Sequence, residues 1–273
     1  MKFPDNLTPV DCNTFLGNWA FRALRRNTVQ DLLAMMNLFG ISHACVASAD
    51  AILHRDPLPA NEKLFEMTQF ASTRFFLYAT INPAYPGWER DLDRYVELGF
   101  HAIRIYPMYH GYTLEEACAN ALADAAVERG LILSIPCRVE DARQRHWMDT
   151  SQDVTISQVI SFAERNPNVT VLLTECYFQA EPDDPMWERL KQVRIYFDIS
   201  RMTSCLDSPL GDIAKNLGHD RLLFGTGFPF KAPSASFLKI QLLDIEDDIK
   251  KTIAHDNAIR LFGVNPNVNH NAE

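Results

Sequence analysis

The sequence predicts a closed (β/α)8 barrel, and three observations predict it. Short apolar runs of strand character alternate with helix-period runs along the chain. A length of 273 residues suits one barrel domain, which often exceeds the usual size of a domain. No glycine-rich dinucleotide loop follows the first apolar run, which argues against an open doubly wound sheet. Neither a linker nor an internal repeat interrupts the pattern, so a single domain over residues 1–273 is expected.

The first strand is expected from Val10 into a loop that ends at Gly17. Thr28 is placed to cap a helix in which Val29, Leu32, Leu33, Met36 and Phe39 recur at helical spacing, and Gly40 closes it. Residues 41–49 form the second strand and complete a β-α-β unit. A helix at 61–71, a third strand at 75–81 ending in Asn82-Pro83, a helix at 88–98 and a fourth strand at 101–106 follow. The long helix at 114–129 stops at Gly130 and feeds a fifth strand at 131–135. Residues 156–165 present Ile156, Val159, Ile160 and Ala163 on one face, before a sixth strand at 169–173. A short helix near 187–192, a seventh strand at 195–199 and a helix around 210–217 lead to the eighth strand, Leu222-Leu223-Phe224. That run breaks at Gly225-Thr226-Gly227 and stops on Pro229, as a buried parallel strand does at a ligand-facing edge. Helices at 237–243, 245–253 and 257–262 close the chain, and the polar tail beyond Gly263 is expected to fray.

Hydrophobic residues at 47% and charged residues at 22% are enough for a full core. A net charge of −9 disfavours nucleic acid and anionic membrane as partners, since both demand a basic face. No apolar run approaches the roughly 20 residues of a membrane span, and the amino terminus lacks a signal core, so a cytoplasmic protein is expected. Six cysteines, Cys12, Cys45, Cys118, Cys137, Cys176 and Cys205, stand singly as reduced thiols do.

Three stretches carry a family resemblance: Asp11-Cys12-Asn13-Thr14-Phe15-Leu16-Gly17, Leu223-Phe224-Gly225-Thr226-Gly227-Phe228-Pro229-Phe230, and Asn257-Ala258-Ile259-Arg260-Leu261-Phe262-Gly263. Together they resemble the amidohydrolase-related (amidohydrolase 2) branch of the metal-dependent hydrolases of TIM-barrel fold. The resemblance implies a divalent metal held by two histidines of strand one and an Asp of strand eight, the Asp also moving protons. Here Asn13, Phe15 and Gly227 stand at those places, strand five ends Ser134-Ile135-Pro136 and strand six ends Thr174-Glu175-Cys176. Imidazole and carboxylate donors are what such an ion requires. The expectation is therefore no metal cofactor, with the vacated centre filled by Phe15, Phe228 or ordered water. The loop histidines His54, His110 and His146, with Glu140 or Asp141, are the candidates for a relocated metal site, although scattered loop histidines are more often surface residues.

In such a barrel the working groups lie at the carboxyl ends of the strands. Polar residues there include Asn13, Asn82, Arg104 with Tyr106, Glu175, Asp198 with Arg201, and Thr226. A strand-end Asn or Asp more often caps the following loop. The densest polar stretch is residues 138–146, where Arg138, Arg143 and Arg145 accompany Glu140, Asp141 and His146. It is either a solvated face or an anion clamp with a general acid or base. Arg104 lies between Ile103 and Ile105. A barrel-facing arginine needs a carboxylate partner or an anionic ligand.

Two functions fit. The first is an enzyme of the resembling group, a hydrolase or carbon–carbon lyase acting without metal on a small carboxylate-bearing substrate such as a lactone or aromatic acid. Glu140, Asp141 and His146 would be catalytic, and Asn13, Asn82, Arg104, Tyr106, Arg138, Arg143, Glu175 and Asp198 would bind substrate. The second is a catalytically silent barrel that binds a small acid or a protein partner. A homodimer is expected from the resemblance and from the frequency of two-fold association.

Overall fold

The computed structural model describes residues 7–177, 180–181, 183–202 and 209–263. Cys205, His270 and the tail beyond Gly263 lie outside the described residues. Eight strands form one parallel sheet in sequence order: β1 (Val10–Leu16), β2 (His43–Ser48), β3 (Phe75–Thr80), β4 (Ala102–Arg104), β5 (Ile132–Pro136), β6 (Val171–Thr174), β7 (Ile195–Asp198) and β8 (Leu222–Leu223). The chain beyond β8 closes the sheet on β1. Cys12 N–H donates to the Phe224 carbonyl at 2.8 Å, Gly227 N–H to that of Asn13 at 2.8 Å, and Phe15 N–H to that of Phe228 at 2.8 Å.

Period-2 alternation divides the apolar side chains into two clusters. Val10, Cys12, Cys45, Phe76, Tyr78, Ala102, Ile132, Leu172 and Leu223 pack inside the barrel, while Ile103, Leu133, Val171, Leu173, Ile195 and Phe197 pack against the helices. Arg104 follows Ala102 by two and therefore points inward. Its register partner on β5 is Ser134, so the two polar side chains are neighbours within the barrel. The β1–β2 register shifts between Asp11 and Thr14, an irregularity of the kind that redirects a side chain at a barrel rim. Asn13 sits within it.

The helix Val29–Phe39 begins with a capping box between Thr28 and Asp31 and ends at Gly40 in left-handed conformation, as its sequence predicts. Other boundaries differ. The helix expected at 61–71 is Leu58–Thr68, because Pro59 fits the first turn, where its missing N–H would have had no partner. The helix expected at 114–129 starts at Ala117, after the Glu116 side chain accepts the Thr113 N–H at 2.8 Å. Residues 245–253 form only Asp247–Lys251, followed by a π-helical turn, Thr252–Asp256. A short helix, Pro107–His110, follows β4 where none was predicted. The last helix, Asn257–Phe262, covers the amino-terminal end of the barrel. There Phe262 stacks on Phe76 at 5.6 Å, and the Asn257 amide donates to the carbonyls of His219 and Leu222.

Candidate functional site

At the carboxyl ends of the strands lies a hydrogen-bonded network with Asn13 at its middle. Arg104 is wholly buried; its Nη1 donates to Asn13 Oδ1 at 3.1 Å and its Nε to Ser134 Oγ at 3.1 Å. The guanidinium lies 4.4 Å from the Tyr78 ring centroid and 5.0 Å from that of Phe15, a cation–π arrangement on two faces. Because a guanidinium only donates, the Asn13 amide oxygen must face Arg104 and its NH2 must face away. That NH2 donates to Glu175 Oε1 at 2.8 Å and to Asp198 Oδ2 at 2.9 Å. Arg104 thus reaches two buried carboxylates through an amide.

Burial opposes charge on Glu175, yet Lys231 and Arg201 outweigh it and hold its carboxyl below the usual range. Lys231 Nζ pairs with Glu175 Oε2, and Arg201 Nε reaches the same oxygen at 3.0 Å. Asp198 behaves oppositely: burial and then the charge of Glu175 raise its pKa. Its Oδ2 accepts from Ser200 Oγ at 2.5 Å, and Ser200 Oγ in turn accepts from Lys231 Nζ at 3.1 Å. Asp11 lies on the strand-eight side of β1. It accepts from the Thr226 hydroxyl at 2.6 Å and the Thr226 N–H at 2.9 Å, and burial pushes its pKa up to about 7.

Above this network opens a cavity of about 400 Å³ lined by Arg22, Glu140, Asp141, Arg143, Arg201 and Lys231, with Val139, Gln144 and Phe230 completing the wall. Glu140 accepts from Trp19 Nε1 at 2.8 Å and pairs with Arg22 Nε. Asp141 is bridged by Arg143 at 2.9 Å and Arg201 at 3.1 Å, and the Arg143 hydrogen bonds hold its pKa well below the carboxylate range.

Of the residues singled out from sequence, Asn13, Arg104, Glu175 and Asp198 meet in the buried network, and Glu140, Asp141 and Arg143 meet in the cavity above it. Tyr106 is buried in the barrel, where desolvation pushes its pKa up to about 12 although the Arg104 charge works against the rise. Three others face elsewhere. Asn82 accepts the Ala84 N–H at 3.1 Å and donates to the Arg55 carbonyl at 2.9 Å, so it shapes its own loop. Arg138 turns to Asp153 at 2.5 Å, and His146 stacks on Phe21 at 5.8 Å. The relocated metal site does not assemble. His54 lines a separate cavity with Asp50 and Lys63, His110 is buried against Tyr106 with its pKa lowered to about 4 by desolvation, and His146 is on Phe21. Sequence reasoning did not single out Arg22, Ser200 or Lys231. For Lys231 the available signal was a cation just past Pro229 at the end of the last strand.

The centre is filled only in part as expected. Phe15 lies against Arg104 and packs on Phe230 at 5.1 Å, and Phe228 belongs to the outer core. Glu175 and Lys231 take the space beside Gly227: a Cβ on that residue would stand 2.8 Å from Glu175 Oε1 and 3.2 Å from Lys231 Cδ and Cε. Donor chemistry argues against a divalent ion here. Asn13 offers N–H groups rather than lone pairs to the centre, and Glu175 is already neutralised by two cations. Among the described residues no group of three or more His, Cys, Asp or Glu side chains is placed to hold a metal.

Fold and site together define a (β/α)8 barrel with a charged cavity at the carboxyl ends of its strands. The amidohydrolase family model matches residues 7–264, and the chain belongs to that family. No curated protein sequence matches it. Among solved structures, 2,6-dihydroxybenzoate decarboxylase from Rhizobium superposes with a TM-score of 0.70 at 15% identity, covering 94% of this chain and 99% of that one. For 5-carboxyvanillate decarboxylase from Sphingomonas paucimobilis the values are 0.71, 15%, 95% and 100%. For the 5-carboxyvanillate decarboxylase of Novosphingobium aromaticivorans, complexed with manganese and 4-hydroxy-3-methoxy-5-nitrobenzoic acid, they are 0.72, 16%, 95% and 97%. At such identities the likeness establishes the fold alone. No helix among the described residues is long and apolar enough to cross a membrane.

Proposed function

We propose that this amidohydrolase-family barrel acts without a metal on a small carboxylate-bearing molecule, a lactone or an aromatic acid, bound in the cavity above Lys231 and Arg201. The observation that carries the reading is the charge of the wall: Arg22, Arg143, Arg201 and Lys231 stand against Glu140 and Asp141 on the wall and Glu175 behind it, four cations to three carboxylates. Arginine and lysine at a partly enclosed wall hold carboxylates through charge-assisted hydrogen bonds. For a lactone, the cations polarise the carbonyl and Glu140 accepts a proton from the attacking water. The water oxygen bonds to the carbonyl carbon, the ring C–O bond breaks, and the departing alkoxide takes up a proton, giving a hydroxy acid. For an aromatic acid, the same wall would hold the carboxylate during carbon–carbon cleavage. Membership of the amidohydrolase family supports a hydrolytic reaction, and the structural neighbours that are 2,6-dihydroxybenzoate and 5-carboxyvanillate decarboxylases support the aromatic-acid class.

The test incubates chelator-treated protein with a panel of lactones and phenolic acids, with and without added zinc or manganese. Turnover that needs no metal supports the reading; turnover only with metal refutes its metal-free part. The second reading, a silent barrel that binds a small acid or a protein partner, is favoured by one observation. Each cavity carboxylate is already engaged, Glu140 by Arg22 and Trp19, Asp141 by Arg143 and Arg201. Ligand-induced stabilisation without turnover would decide for it. A homodimer belongs to the same proposal, and sedimentation as a strict monomer at micromolar concentration would remove it.

A further inference from the structure

We infer that the ammonium of Lys231 is the electrophile of this site, a built-in cation between the buried network and the cavity, and that it binds the oxygen of an incoming carboxylate or carbonyl. The inference deepens the metal-free reading above by assigning its central residue.

Three independent features of the geometry converge on it. First, the backbone folds Lys231 back over the strand end: its N–H donates to the Gly227 carbonyl at 3.1 Å, so the side chain returns across Gly227. Second, the space it crosses is widened by the absence of a side chain at position 227. Gly227 adopts φ +71°, and a Cβ there would intrude on both the Glu175 carboxylate and the Lys231 stem. An aspartate at 227 and a lysine at 231 directed this way would compete for one volume. Third, the ammonium joins the buried network to the cavity. It pairs with Glu175, which is 1% exposed, and donates to Ser200 Oγ, yet about a fifth of the Lys231 side chain remains accessible and it lines the cavity wall. An ammonium has three N–H donors. Glu175 and Ser200 take two, and among the described residues no partner takes the third, which is left for a ligand in the cavity.

The rest of the network fixes the ammonium in place. Asn13, oriented by Arg104, donates to Glu175 Oε1, so the carboxylate cannot turn away from Lys231, and Arg201 shares its Oε2. A cation held so by buried partners is preorganised toward a developing oxyanion and needs no reorganisation when charge forms. Lysine delivers that charge as a point, whereas the neighbouring Arg201 is committed through Nε and Nη1 to Glu175 and Asp141.

The test uses the full chain, its Lys231→Met and Lys231→Arg variants, and benzoate as the carboxylate probe, with calorimetric titration of benzoate and, separately, of manganese. The parent is expected to bind benzoate and to take up no manganese at millimolar concentration. Lys231→Met should weaken benzoate at least tenfold, and Lys231→Arg should recover part of the loss. Equal benzoate affinity in parent and Lys231→Met, no benzoate binding by the parent, or one manganese bound per parent chain would each overturn the inference. Should Lys231→Met fail to fold, the Lys231→Arg affinity and the parent's manganese titration still decide: benzoate binding weakened severalfold in Lys231→Arg with no manganese uptake by the parent upholds it, and benzoate affinity equal to the parent's or stoichiometric manganese overturns it. The two proposals separate cleanly. Lysine-dependent benzoate binding without turnover of any panel compound sinks the enzymatic reading and leaves this one standing, while metal-free turnover undiminished in Lys231→Met does the reverse.

Discussion

The loop after β5 and the centre of the barrel contain the same kinds of residue, arginines with carboxylates, in opposite physical situations. In the loop, Arg143 is almost fully solvated beside Asp141, and its hydrogen bonds pull that carboxyl's pKa down. Water and salt screen such pairs, which typically add little to stability. In the centre, Arg104 has no accessible surface and, among the described residues, meets no carboxylate directly; Asn13 relays its charge to Glu175 and Asp198. Asp11 in the same region has its pKa raised by burial rather than lowered by a partner. The density of charge in a sequence therefore locates the cavity rim, where Arg143 alone among the arginines is almost fully solvated, more readily than the centre, because the centre is made of single polar residues on separate strands.

The largest effect expected from this contrast is at Arg104. Arg104→Ala removes a buried cation and orphans the Asn13 carbonyl, so a loss of about 3–5 kcal/mol is expected in denaturant unfolding. A loss below about 1 kcal/mol would mean that the centre is as well screened as the rim. Loss of benzoate affinity should accompany it, since Asn13 would no longer be held toward Glu175.

Next comes Asp11. Its folded pKa, about 7, lies above the ordinary value of 3.8, so the folded state keeps a proton that the unfolded chain releases. Its contribution is fully present below about pH 4 and is lost as pH rises through about 7. Stability of the parent relative to Asp11→Asn should fall across that window, by of order 4 kcal/mol as an upper bound, and level off above it. A difference that is flat with pH in urea unfolding would show that Asp11 stays ionised throughout.

At Gly227, alanine meets both a left-handed backbone and the Glu175 carboxylate, and a cost of about 1–3 kcal/mol is expected. Gly227→Asp should melt lower than the parent and take up no zinc. Tight zinc binding with an unchanged melting temperature would show that a metal-ligand set survives. At the rim, Arg143→Ala should leave the melting temperature unmoved, and a measurable drop there would erase the distinction between the two regions.

How much of this was legible in the sequence differs by region. Apolar runs alternating with helix periods indicated eight strands, and Arg104 between two isoleucines was recognisable as an inward-facing charge, because a β-strand alternates faces whatever surrounds it. Asn13, Glu175 and Asp198 could be picked as strand-end polar residues, but not that one amide would join them. That joining depends on the β1 register shift and on the closure of β8 against β1.

The sequence by itself determined the barrel and the family resemblance, since these are properties of local period and of residue identity within short motifs. Only the tertiary structure decided what fills the centre. Phe15 lies in the centre against Arg104, as expected, but the space beside Gly227 is taken by Glu175 from the end of β6 and Lys231 from beyond β8, more than fifty residues apart in the chain. Pairing across that separation depends on where a closed sheet brings two strand ends, and on the volume that a glycine leaves open between them.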